Sequence, residues 1–173
     1  MNTTTSITVR VADAALREAA SKGFDEFLQL VIDSTKRAIG GELTADTMSR
    51  LNSDQVTLLA WDIVHTELMD GGFVQLIYNG YGPFVFKNPL AKAFGLWGLR
   101  DLRKLIYDAH TLYTRYAEVI EHEMSDEEFM ALYERCPEFD DLDDRFVESE
   151  EQFTEQIAEY VDNHLERFIE VTD

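Results

Sequence analysis

The densest grouping of side chains able to act together lies in Glu67-Leu68-Met69-Asp70-Gly71-Gly72-Phe73-Val74-Gln75-Leu76-Ile77-Tyr78-Asn79. Gln75 and Asn79 are four residues apart, so they share one face of a helix. Their neighbours are apolar, so these amides need hydrogen-bond partners, which Glu67 or free backbone groups at a helix break can supply. Two readings stay open. In one, a satisfied polar network fixes a helix–helix corner: Gly71-Gly72 permits a tight turn at positive φ, and Phe73 plugs the angle. In the other, Glu67, Gln75 and Asn79 line a pocket for a small ligand or a reaction, with His65 and Tyr78 as auxiliary groups.

Other chemistry is hard to assemble. His65, His110, His122 and His164 form no HExxH pattern, and His122-Glu123 has no second histidine after it. Helical di-iron sites use two Glu-x-x-His motifs, whereas Glu118 precedes His122 by four residues and has no second copy. The run Asp140–Glu151 fails as a calcium loop, because Arg145 falls on a ligand position, Phe146 on the glycine position and Gln152 on the closing glutamate. Dinucleotide, P-loop and nucleophile-elbow patterns are absent from the sequence. Cys136, the single cysteine, sits beside Pro137 among acids, which argues against a thiolate nucleophile. No metal and no cofactor is expected, and the chain reads as a non-enzyme.

The charge is unevenly distributed. The chain of 173 residues carries 34 Asp+Glu against 15 Lys+Arg, a net charge of −19. Residues 1–117 hold 13 acids and 12 bases, net −1, so residues 118–173 hold 21 acids and 3 bases, net −18. Such a chain has no net attraction for phosphates or anionic membranes, so direct binding to nucleic acid or membrane is excluded. Disorder is excluded too, since 45% of residues are apolar and 12% aromatic. No apolar run approaches a membrane span. Residues 1–5 lack a basic n-region and no apolar h-region follows, so no signal peptide and a cytoplasmic location are expected.

The elements that must position these residues are helical. Helices are predicted over about 12–21, 24–39, 44–51, 53–70, 73–79, 88–95 and 98–121. Ser53/Asp54 is expected to cap the fourth, and Gly40-Gly41, Gly71-Gly72 and Gly80-Tyr81-Gly82-Pro83 are breaks. Ser125…Glu128 fits a capping box for a helix ending at Pro137, and Ser149…Gln152 a second one opening a last helix to about Glu170. The 1–10 stretch reads as a frayed end or one short strand, with the best strand signal at Ser6–Val11. The fold class is therefore all-α: a single multi-helix domain over 1–173 with about seven to nine helices and little or no sheet.

On the last predicted helix, Glu151, Glu155, Glu159, Asp162, Glu166 and Glu170 recur at spacings of 3 or 4, opposite Phe153, Ile157, Tyr160, Val161, Leu165 and Phe168. Like charges four apart repel, and lysines that would offset them are missing. A solvated face and a partner-facing surface both fit. One such line carries about a third of the charge density of duplex DNA, on a rise of about 1.5 Å per residue against about 1.7 Å per charge. The loop acids Glu138, Asp140, Asp141, Asp143, Asp144 and Glu148, or a second subunit, would have to lie beside it to imitate DNA.

The arrangement Glu67-x-x-x-Gly71-Gly72-Phe73-x-Gln75-x-x-x-Asn79, followed by Leu142…Phe146 and Tyr160…Phe168, resembles a bacterial all-α family named for DNA mimic protein nineteen. The resemblance covers about residues 50–170. It implies an acidic, helical, dimeric protein that occupies the DNA-binding face of a helix-turn-helix regulator. The expected partner is thus a basic DNA-binding protein, met by the twelve acids from Glu138 to Glu170 just named. A ligand pocket at the glycine corner, and an acidic scaffold or immunity-type protein without mimicry, are the alternatives.

Overall fold

The structure is a computed structural model and describes residues 5–173. Of the 1–10 stretch, residues 1–4 lie outside the described residues. Among the described residues the fold is all-α apart from one short parallel strand pair, and the chain divides into two compact units.

The first unit comprises residues up to Asp62 together with Thr154–Asp173. Strand β1 (Arg10–Ala12) lies within the Ser6–Val11 strand signal and one residue past it; Val9 before it is buried, and Ile7 N–H donates to Arg50 O at 3.0 Å. Helices α1 (Asp13–Lys22) and α2 (Phe24–Ile39) follow, and α2 stops where sequence places its glycine stop, with Gly40 left-handed at φ 86. A single turn, α3 (Ala45–Met48), leads to α4 (Ser53–Leu76). Asn52, one residue earlier than the expected cap, opens α4. Its side-chain oxygen accepts from Gln55 N–H at 2.8 Å, and Gln55 Oε1 accepts from Asn52 N–H at 3.0 Å.

Gln55 then donates from Nε2 to Phe168 O (2.9 Å), and Asn52 donates from Nδ2 to Arg167 O (2.7 Å). One capping pair therefore also ties down a segment more than a hundred residues away. Strand β2 (Glu170–Thr172) pairs in parallel with β1, with Arg10 opposite Glu170. Phe27, Leu28, Val31, Ile32, Leu58, Leu59, Ile157, Val161 and Phe168 fill the core of this unit.

The second unit is Ile63–Phe153. Gly72, at φ 73 and ψ −170, splits α4 into two helical segments, as the Gly-Gly signal predicts. A π-helical turn (Ile77–Tyr81) and α5 (Gly82–Phe86) come next. The sequence marks Gly80-Tyr81-Gly82-Pro83 as a break, but a short helix starts within it: Pro83 sits in the first turn, where its missing N–H costs nothing. Helices α6 (Leu90–Leu96), α7 (Arg100–Ile120) and α8 (Asp126–Arg135) agree with expectation, and the Ser125/Glu128 capping box is formed at 3.2 and 2.8 Å.

The C-terminal third differs from expectation. Helix α9 runs unbroken from Glu138 to Asn163, so Ser149 lies mid-helix and caps nothing. The acids 138–148, read as a loop, are helical. Phe139, Leu142, Phe146, Phe153 and Ile157 recur at spacings of 3, 4, 7 and 4 and are buried, which supplies the stripe a helix needs. The helix also ends early: Leu165–Arg167 is a 3-10 turn and Glu170 is in β2.

Gln55 is 6% exposed, so removing its amide strands buried backbone groups. Gln55→Leu is expected to cost about 2–3 kcal/mol in urea unfolding; an unchanged midpoint would show the Phe168 carbonyl to be satisfied elsewhere.

Candidate functional site

The corner at Gly72 is built around a carboxylate. Phe73 N–H, the first free donor of the new helical segment, points at Asp143 Oδ1 on α9, 2.8 Å away. A Cβ on Gly72 would lie 2.6 Å from Asp143 Cγ. The position therefore demands glycine twice: its dihedrals belong to a region that side chains disfavour, and its missing Cβ admits the carboxylate. Tyr133 Oη donates to Gly71 O at 2.8 Å from the other side. Phe73 is fully buried, between Phe86 and Phe139 at ring distances of 6.4 and 6.1 Å.

The polar trio of the motif satisfies itself. Glu67 Oε2 accepts from Gln75 Nε2 (3.1 Å) and from Asn79 Nδ2 (2.8 Å), and Gln75 also donates to Asp70 Oδ2 (2.8 Å). The auxiliary groups are engaged elsewhere. His65 Nε2 meets Glu150 Oε1 at 2.6 Å, while Tyr78 packs against Phe129 in a tilted pair at 4.7 Å and reaches Met124 O only at 3.5 Å. An open depression of about 490 Å³ beside the corner is lined by Asp70, Gly71, Gly72, Tyr133, Asp140, Asp143 and Asp144, not by Glu67, Gln75 or Asn79.

Asp143 stands apart from the other acids. Burial pushes its carboxyl up to about 7, against the pull of the Phe73 N–H, and Asp140 and Asp144 push it further up. Burial also raises Tyr133, with Asp143 and Asp70 adding to it. Cys136 is fully buried, and burial raises its thiol as well, which fits a passive residue. Among the described residues no group of three or more His, Cys, Asp or Glu is arranged to hold a metal, and no helix is long and apolar enough to cross a membrane.

The other acids of α9 divide: Glu150 turns inward to His65, with 18% of its side chain exposed, and most of the rest face outward. Helix α9 carries eleven carboxylates and one arginine, and that arginine, Arg145, is bound to Asp108 at 3.1 Å. At about 100° per residue, Asp140, Asp141, Asp144, Glu148, Glu151, Glu155, Glu159 and Asp162 fall within an arc of about 100°, opposite the buried stripe. All eight are exposed, and none takes part in an ion pair among the described residues. At a rise of about 1.5 Å per residue they average one charge per 4–5 Å, about three-quarters of the linear density of one DNA strand.

Glu138 begins the helix but is held by Tyr116 Oη (2.7 Å) and Arg115 (3.2 Å). Glu166 lies on the 3-10 turn, and Glu170 pairs with Arg10 at 3.3 Å. Six acids in register to Glu170 are therefore replaced by eight between Asp140 and Asp162. The inward role of Asp143 had no sequence signal of its own. Only its place in the stripe, next to Leu142 and three residues before Phe146, marks it, like Glu150, as an acid on the buried side.

A helical corner locked by a glycine, beside a helix whose outer arc bears eight exposed carboxylates and no cation, defines an acidic all-α protein with a charged surface. Residues 49–164 match the family described as DMP19-like protein. The chain is also 33% identical over 128 residues to the DNA mimic protein DMP19 of Neisseria meningitidis serogroup B, covering 73% of this chain and 77% of that protein. The chain belongs to the DMP19-like protein family.

Two substitutions test the corner. Gly72→Ala is expected to lose at least about 2 kcal/mol, because it strains the backbone and evicts Asp143; a chemical-denaturation midpoint equal to that of the parent would refute the double requirement. For Asp143, a folded pKa above the unfolded value means protonation favours the folded state. Its contribution is full below the ordinary aspartate value of 3.8 and is lost as pH rises through about 7. Asp143→Asn keeps an acceptor for Phe73 N–H without the charge. It should gain about 1–3 kcal/mol near pH 8 and flatten the stability profile between about pH 4 and 7, as read by thermal unfolding across pH.

Proposed function

We propose that this protein is a DNA mimic that binds the basic DNA-contacting face of a transcription regulator or other DNA-binding protein and competes with DNA for it. The observation that carries the reading is the outer arc of α9, with eight exposed carboxylates and no cation among them. A solvated helix normally interleaves Lys or Arg at i,i+4, and these acids accept mutual repulsion instead. Opposed to a basic surface, that same repulsion is relieved on binding and steers the encounter. The name of the Neisseria relative supports the assignment. The reading gives the chain no catalytic role, needs no cofactor, and places it in the cytoplasm with DNA-binding regulators. A homodimer, which the family resemblance implies, would add a second arc and raise the charge density toward that of a duplex.

The ligand-pocket reading has less support. Glu67, Gln75 and Asn79 spend their hydrogen bonds on one another and on Asp70, and they do not line the depression beside the corner.

Titrating a helix-turn-helix regulator with this protein tests the proposal. Affinity should fall steeply from low to high salt, and Glu148→Gln, Glu151→Gln, Glu155→Gln and Glu159→Gln combined should weaken binding by about 10- to 100-fold. Binding that ignores both salt and the four substitutions would leave an acidic scaffold as the better description.

A further inference from the structure

Within the first unit, the turn between α1 and α2 borders an apolar groove of about 300 Å³. Ala20, Gly23, Phe27 and Ala158 form its walls, Phe24 stands at its rim with 52% of its surface exposed, and Glu159 and Asp162 of α9 close one side. Gly23, at φ 148, adopts a conformation that other residues rarely take and contributes no side chain to fill the space. The small residues make the groove and the aromatic lengthens it.

The surrounding charge is acidic. Asp25 and Glu26 stand exposed in the first turn of α2, next to Phe24. The neighbouring cation, Lys22, is taken up by Glu18 at 2.9 Å. Glu159 and Asp162 are exposed and enter no ion pair among the described residues. An apolar slot walled by uncompensated carboxylates selects an occupant that is itself apolar at one point and basic around it.

We propose that this groove seats an apolar side chain from the basic DNA-contacting helix of the partner, while that helix's Lys and Arg residues face Glu155, Glu159 and Asp162. The inference rests on the DNA-mimic reading and deepens it. Proteins that read DNA carry, beside their phosphate-binding cations, apolar side chains that touch thymine methyl groups at the base edges. A purely carboxylate face answers the cations and leaves those apolar side chains in water. The groove gives one of them a dry contact, so it supplies the part of affinity that charge cannot: a preference among partners that are all basic. That part persists in salt, whereas the carboxylate part is screened.

The probes are two Lys-rich helical peptides of identical charge, one carrying a single leucine among its lysines and the other alanine at that place. Each is titrated against the full-length protein by fluorescence anisotropy at low and high salt. The leucine peptide should bind about tenfold more tightly, from burial of one aliphatic side chain, and the ratio should hold in high salt. Ala20→Gln, at an exposed helical position, fills the groove without touching the core, and Phe24→Ser removes the rim. Either should bring the ratio below about twofold while both peptides still bind at low salt. Circular dichroism confirms that both variants are folded. Equal binding of the two peptides, or a ratio unaffected by both variants, overturns the groove and leaves the electrostatic reading standing. Failure of both peptides to bind at low salt overturns the groove together with the mimic reading on which it rests.

Discussion

A carboxylate that reaches a backbone N–H through the gap left by a missing side chain organises the second unit. The Asp143 contact to Phe73 does three things at once. It satisfies the first donor of a helical segment that begins abruptly after Gly72, it fixes the bend at which Phe73 enters the core, and it sets the rotation of α9 about its own axis. With Asp143 pinned inward and Phe139, Leu142 and Phe146 beside it, Asp140, Asp144 and Glu148 have no choice but to face out. A local hydrogen bond thereby decides which side of a 26-residue helix is displayed. The cost is visible in the carboxyl itself, which burial and two acidic neighbours push up to about 7 even as the N–H holds it down.

The acid-rich helix forms despite its charge because other terms outweigh repulsion. Exposed like-charge pairs cost a few tenths of a kcal/mol each, whereas each large side chain buried along the opposite stripe returns about 1.5–3 kcal/mol. Placement helps as well. Glu138, Asp140 and Asp141 occupy the first turn, where the helix dipole favours negative charge. Asp162, one residue before the end of the helix at Asn163, has no such support. The arc is thus a tolerated strain, distributed so that its N-terminal part is the best compensated.

Much of the fold was legible in the sequence, and the misses share one cause. Gly40, Gly72 and Pro137 mark helix ends because each acts through backbone geometry, which is local. Ser125/Glu128 is a true cap, whereas the similar Ser149/Gln152 pattern is not, because no break precedes it and the Phe139…Ile157 stripe runs straight through. Acidity disguised residues 138–148 as a loop, although the apolar spacing beneath it was helical. At the candidate site, the glycines, Phe73 and the Glu67/Gln75/Asn79 set could be picked out from type and spacing. Asp143 could not, because its role depends on a partner 70 residues away that only the folded chain brings near. The groove beside Phe24 was hidden for the same reason: alanines and a glycine carry no signal until three helices close around them.

The corner and the arc answer to different demands. Gly72 is required by a torsion angle and by a carboxylate at close quarters, and neither involves anything outside the molecule. The eight outer acids of α9 enter no ion pair among the described residues. The stretch by which such a chain is recognised is therefore an architectural mark and not a functional one. The corner holds the display up, and the outer residues of the helix decide what it shows.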